Sequence, residues 1–234
     1  MMRHRAILAL LAALPAGCAS IDDLSDLERF YEHRPRTILV LPVRNLTTDA
    51  EAPRFFMATL SEPLVARGYY PMPPLLVAEI LAQEGIGLDG QAWEVDPGAV
   101  HEHLGADAIL YVTLEEWDTH YLLLASSVNV GLHYRLVDAR TGLLLWERRG
   151  RRAIQSRSSS GGGLAGLLVM AIDAAVTAAT VDYVPVAAEL NRDLLSTLPP
   201  GSYHPGYPAL QARLEEWRRT KQAESRPAAP PSRP

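Results

Sequence analysis

The chain has 234 residues, a formal net charge of −5 and one cysteine, and 48% of its residues are hydrophobic. An acidic balance argues against a nucleic-acid partner, whose phosphates it would repel, and a single cysteine excludes an intramolecular disulfide. The length suits one domain with a sizeable core and short appendages.

The N-terminus divides into three zones. Arg3, His4 and Arg5 precede an apolar run over residues 6–14, and Pro15-Ala16-Gly17-Cys18 follows. That order reads as an export signal over residues 1–17, too short to span a bilayer stably. Ala16-Gly17-Cys18 resembles a lipobox, in which the thiol is acylated and the chain is cut just before it. The sequence departs from that pattern at Pro15, where Leu is usual. Cys18 is thus the lipidation site, which accounts for the odd thiol and removes it from catalysis. Cleavage would take Arg3 and Arg5 with it and move the net charge from −5 to −7. Ala19 and Ser20 stand next, with no Asp, which resembles outer-membrane sorting and predicts a lipid anchor at the periplasmic face. Several acyl chains on one residue make a stable anchor.

Residues 18–36, with Asp22, Asp23, Asp26 and Glu28, read as a polar tether. Residues 37–42 (Thr-Ile-Leu-Val-Leu-Pro) form a short apolar run expected of a strand buried on both faces. A helix is predicted over 53–67, with Phe56, Leu60, Leu64 and Val65 on one face and Gly68 as its stop. Residues 69–72 read as a short strand, and Pro74 opens a helix through Gln83. Asp96-Pro97-Gly98 starts another helix, over 99–104. Three strands are expected over 107–117, 121–137 and 143–154, the last two joined by a tight turn from Asp138 to Gly142.

This order predicts an α/β (α+β) domain over 37–207, with about five strands in a mixed sheet flanked by helices. The sequence reads as poor in the long alternating strands that a membrane barrel needs. Residues 156–163 are a Ser/Gly linker, 164–181 an apolar, Ala-rich stretch, and 184–195 a helix. Residues 208–234 hold a helix end and a Pro/Arg-rich tail, disordered from Arg218 onward.

Reactive constellations are sparse. His101 and His103 are two apart, so on a helix they point apart and cannot share an ion, although Glu102 and Asp107 lie near. No Gly-x-Ser-x-Gly elbow frames a serine. Glu115 and Glu116 are adjacent, so on a regular strand they face opposite sides. Gly161-Gly162-Gly163 lacks the Lys and Ser/Thr of a phosphate loop. These readings predict no enzyme, no cofactor and no metal. Arg148, Arg149, Arg151, Arg152 and Arg157 make one dense basic run: either a solvated strand end, or a contact for lipid phosphates or an acidic partner. In the stretch 164–181, Asp173 would be costly in lipid, whereas Leu164, Leu168, Ala171 and Ala175 suit a core, partner or oligomer contact.

Several segments together carry a resemblance: the lipobox, Pro-Arg-Thr-Ile-Leu-Val-Leu-Pro-Val-Arg-Asn (35–45), Gly-Tyr-Tyr-Pro (68–71), Gly-Ala-Asp-Ala-Ile-Leu-Tyr-Val (105–112), the Asp-Ala-Arg-Thr-Gly turn, the Gly-rich segment and Leu-Pro-x-Gly-x-Tyr-His (198–204). The set resembles a family of bacterial lipoproteins of unknown function, known through a genome-derived vaccine antigen, over nearly all of the mature chain to Tyr207. That family is similar in fold to the N-terminal domain of TolB, to LpoB and to CsgG. The resemblance implies a periplasmic domain that binds envelope proteins, other lipoproteins or copies of itself within a transport or secretion system. It supplies no catalytic residues. The alternative it raises is a CsgG-like oligomeric export channel.

Overall fold

The computed structural model describes residues 24–83, 90–122, 125–157 and 183–225. Its elements in chain order are α1 (Leu24–His33), β1 (Thr37–Val40), β2 (Arg44–Asn45), α2 (Ala52–Met57), α3 (Ser61–Ala66), β3 (Tyr70–Pro71), α4 (Pro74–Gln83), a 3-10 turn (Gly90–Glu94), α5 (Pro97–Leu104), β4 (Ala108–Leu122), β5 (Ala125–Asp138), β6 (Leu144–Arg157), α6 (Val184–Leu195) and α7 (Tyr207–Glu224). The sheet runs β3-β1-β4-β5-β6, with β2 continuing beside β4. β3, β1 and β4 are parallel neighbours, and β4, β5 and β6 form an antiparallel meander. The α/β class and the mixed sheet expected from sequence are therefore present, with the two-residue β2 as a sixth strand.

Alternation along β1 and β4 explains their burial on both faces. Ile38, Val40, Leu110, Val112 and Leu114 point into one core with α1, α2, α3, α6 and α7. Leu39, Leu41, Ile109 and Tyr111 point into a second, under α4, the 3-10 turn and α5. Each fully buried aliphatic side chain contributes about 1.5–3 kcal/mol. Asp107 anchors the start of β1: its Oδ2 accepts from the Arg36 and Thr37 amides, each at 3.0 Å. Asp96 caps α5 through the Ala99 amide at 3.0 Å, so the Asp-Pro-Gly start seen in sequence is a genuine N-cap.

Four expectations are revised. Residues 24–33 are helix rather than tether, and Leu27, Phe30 and Tyr31 are buried. The helix expected over 53–67 is two, broken where the Thr59 hydroxyl donates to the Phe56 carbonyl at 2.7 Å, and Val65 is 59% exposed rather than inward. The strands of the meander have 15, 14 and 14 residues rather than 11, 17 and 12: β4 runs on to Leu122, and β5 begins at Ala125 instead of Tyr121. Residues 218–224 continue helix α7, joined to α1 by Arg218–Glu28 at 2.7 Å.

Two closures hold these layers. The first is a buried chain: the Tyr134 hydroxyl donates to Asn191 Oδ1, and Asn191 Nδ2 donates to Thr59 Oγ1 at 2.6 Å. It links β5, α6 and the break between α2 and α3. The second joins Gly-Tyr-Tyr-Pro to the Leu-Pro-x-Gly-x-Tyr-His segment. The Gly201 amide donates to the Arg67 carbonyl at 2.7 Å and the Tyr203 amide to the Gly68 carbonyl at 3.2 Å. Tyr31 donates to the Pro200 carbonyl at 2.8 Å, Tyr69 to that of Pro199, and Arg67 to that of Leu198 at 2.9 Å. Gly68 has φ +80°, and a Cβ there would come 2.6 Å from the His204 Cβ. Gly68→Ala therefore combines left-handed strain with overlap, and should lower stability by at least about 2 kcal/mol in urea unfolding.

Candidate functional site

Topology creates a crevice. β1 connects to β3 through α2 and α3 on one face, and β3 connects to β4 through α4 and α5 on the other. At such a switch point the loops leave the strand ends in opposite directions and a cleft opens at the carboxyl ends. Here its volume is about 780 Å³, with Pro42, Val43, Arg44 and Asn45 after β1, Pro53, Met57 and Ala58 from α2 and the residue after it, Pro74 and Ala78 from α4, and Trp93 among its walls.

The rim is held by local bonds. Asn45 closes its own loop, donating from Nδ2 to the Asp49 carbonyl at 2.8 Å and accepting the Thr47 amide at 3.0 Å. Trp93 Nε1 donates to the Pro42 carbonyl at 2.9 Å, and its ring meets Tyr111 edge-on at 5.1 Å. The Arg44 guanidinium lies 4.1 Å over the Trp93 ring. Arg54 instead pairs with Glu51 at 2.9 Å.

The basic run is divided by strand alternation. Arg148 donates to Thr197 Oγ1, just past α6, at 3.0 Å, and Arg152 pairs with Glu189 at 2.8 Å and with Asp193 of α6, so both are held by α6 and the turn that follows it. Gly150 stands between them, and a Cβ there would meet the Leu194 methyl groups. Arg149 and Arg151 point to the opposite, open face, where they pair with Glu115 (2.9 Å) and Glu116. Two arginines that are two apart on a strand share a face, so both carboxylates are on that face too. The register shift between Leu114 and Glu116 is the cause, correcting the expectation that these glutamates oppose one another. His133 and Glu147 pair on the same sheet, 2.6 Å apart.

The remaining titratable groups serve local structure. His101 Nδ1 lies 2.7 Å from the Ala106 carbonyl, and His103 is exposed. Asp138 is buried under the β5–β6 turn. Its Oδ1 accepts the Arg140 and Thr141 amides (3.0 and 2.8 Å) and the Thr141 hydroxyl (2.8 Å), and His33 Nδ1 is 3.0 Å from Oδ2. Gly142 closes that turn with φ +71°, as its sequence position predicted. Cys18, Leu164, Leu168, Ala171 and Ala175 lie outside the described residues. The cleft was not foreseen from sequence; Pro-x-x-Asn directly after a buried strand was the available signal.

This is the architecture of a mixed α/β domain with a crossover cleft. The chain belongs to the GNA1162-like lipoproteins: the family model described as "Putative lipoprotein GNA1162-like" matches residues 25–206. A lipoprotein of Neisseria meningitidis serogroup B is 35% identical over 169 residues, covering 71% of this chain and 78% of its own. The crystal structure of lipoprotein GNA1162 from the same species is similar, with a TM-score of 0.48 and 35% identity, covering 61% of this chain and 98% of that one. The LpoB C-terminal domain of Salmonella enterica shows 16% identity and a TM-score of 0.34, over 55% and 93% of the two chains. A PelC dodecamer from Paraburkholderia phytofirmans shows 18% and 0.42, over 72% and 90%. Membership places the protein at the cell envelope as a lipoprotein.

The Asp138 site yields a pH test. Burial alone would raise its carboxyl, but the bonds from Thr141 and His33 prevail and hold it below its ordinary value of 3.8. Its ionised form is thus favoured by folding: that stability is present above the ordinary value and lost as pH falls through the lowered folded value. Asp138→Asn should be less stable at pH 7 and show a flatter loss of urea midpoint below pH 4 than the unaltered chain.

Proposed function

We propose that the protein is a non-enzymatic component of an envelope transport or secretion assembly, held by lipid on Cys18 at the periplasmic face of the outer membrane. One observation carries this reading. The open face of β4–β6 is a ladder of polar pairs, the ion pairs Glu115 with Arg149 and Glu116 with Arg151 and the contact of His133 with Glu147, and Arg149 and Arg151 are 66% and 57% exposed. Such a face offers both signs of charge to a protein partner and gains specificity rather than bulk affinity from it. On sequence grounds the apolar stretch 164–181, with Leu164, Leu168, Ala171 and Ala175, adds a second contact for an envelope protein, another lipoprotein or a second copy. Arg148 and Arg152 drop out of the proposed contact, because Thr197 just past α6 engages the first and Glu189 and Asp193 of α6 the second.

In-cell cross-linking with mass spectrometry tests the reading. Arg149→Glu with Arg151→Glu, and separately Ala171→Glu with Ala175→Glu, should each remove most cross-links while circular dichroism stays unchanged. Unaltered cross-links in both variants would refute the assignment. Cys18→Ala should move the chain from the membrane to the soluble fraction.

A second reading has its own support. Strands of 14 and 15 residues exceed the roughly 9–11 that cross a bilayer, which keeps a CsgG-like oligomeric channel open. That reading expects a ring in detergent and ion conductance in planar bilayers; a monomer or dimer without conductance counts against it.

A further inference from the structure

We infer that the crossover cleft is a binding site for a single-chain anionic amphiphile, a fatty acid, with its acyl chain between α2 and α4 and its carboxylate on Arg44. The cleft's capacity, about 780 Å³, falls within the roughly 300–1,000 Å³ of small-molecule sites. Its chemistry then selects among occupants.

The walls are poor in hydrogen-bonding groups. Pro42, Pro53 and Pro74 have no N–H, and Val43, Met57, Ala58 and Ala78 present carbon and sulfur. Trp93 Nε1 is engaged by the Pro42 carbonyl, and the Asn45 amide by its own loop. An extended peptide in this cleft would leave backbone donors and acceptors without partners, which is costly. An acyl chain has none to satisfy.

The rim supplies one sign of charge. Arg44, Arg54, Asn45 and Ser61 line the cleft, and no carboxylate does so among the described residues. Arg54 is held by Glu51, whereas the partner described for the Arg44 guanidinium is the Trp93 ring, which leaves its N–H fork available. A guanidinium fork matches a carboxylate. A membrane-anchored lipoprotein meets such amphiphiles at the bilayer surface, so the ligand is at hand. This assignment is independent of the open sheet face and does not rely on it.

Calorimetry with the mature chain, residues 18–234 carrying Cys18→Ser so that no attached lipid competes, provides the test. All described elements lie within it. Sodium dodecanoate below its micellar concentration should bind saturably at one site per chain. Arg44→Gln should weaken dodecanoate about tenfold, the loss expected for a charged hydrogen bond, and change 1-dodecanol binding less than twofold. Ala58→Trp, at an exposed wall position, should abolish binding of both. Absence of saturable dodecanoate binding overturns the proposal, as does equal weakening of both ligands by Arg44→Gln, or unchanged binding in Ala58→Trp. Tighter saturation by an apolar hexapeptide with a free carboxylate than by dodecanoate also overturns it, in favour of a peptide site.

Discussion

The contact between the Arg67–Tyr69 turn and the Pro199–His204 segment is where the fold closes on itself. Gly68 can take φ +80° and lie against the His204 backbone only because it lacks a side chain. Its carbonyl then accepts from Tyr203, while Tyr31, Arg67 and Tyr69 cap three successive carbonyls from Leu198 to Pro200. Burial pushes the Tyr31 and Tyr69 hydroxyls up from their ordinary range, so both stay protonated and remain donors. Without this contact α1, α3 and the chain leading into α7 would have no common anchor, and the helical layer over the first core would lose its edge.

Much of this was legible in the sequence, for stated reasons. β1 reads as a doubly buried strand because Ile38, Leu39, Val40 and Leu41 leave no polar side to face water. Gly68 and Gly142 marked a helix stop and a hairpin turn, and both have positive φ. Helix α1 was missed because acidic residues disguised the apolar spacing of Leu24, Leu27, Phe30 and Tyr31, which is helical. The first hairpin of the meander was bounded wrongly, with Tyr121 given to β5, because the run from Tyr121 to Ala125 holds no Gly, Pro, Asn or Asp to mark a turn. The cleft belongs to the order of connections, and no run of residues encodes that by itself.

The glutamate pair shows how one irregularity alters chemistry. A regular strand would have sent Glu115 and Glu116 to opposite faces. The register shift after Leu114 brings both to the outer face, Glu116 in line with Arg151 across Gly131 of β5 and Glu115 within ion-pair reach of Arg149. Exposed pairs of this kind contribute only about 0–1 kcal/mol each. Their value is in the pattern of charge presented to a partner.

Helix α1 also sets a distance. Because helix α1 already begins at Leu24, inside the stretch read as tether, at most residues 19–23 would separate it from the proposed lipid on Cys18. Six extended steps reach about 20 Å at most, so a protein anchored as proposed would ride close to the headgroups and could not stretch far from its membrane. Under that anchoring a partner would have to come to it, or already stand beside the same membrane.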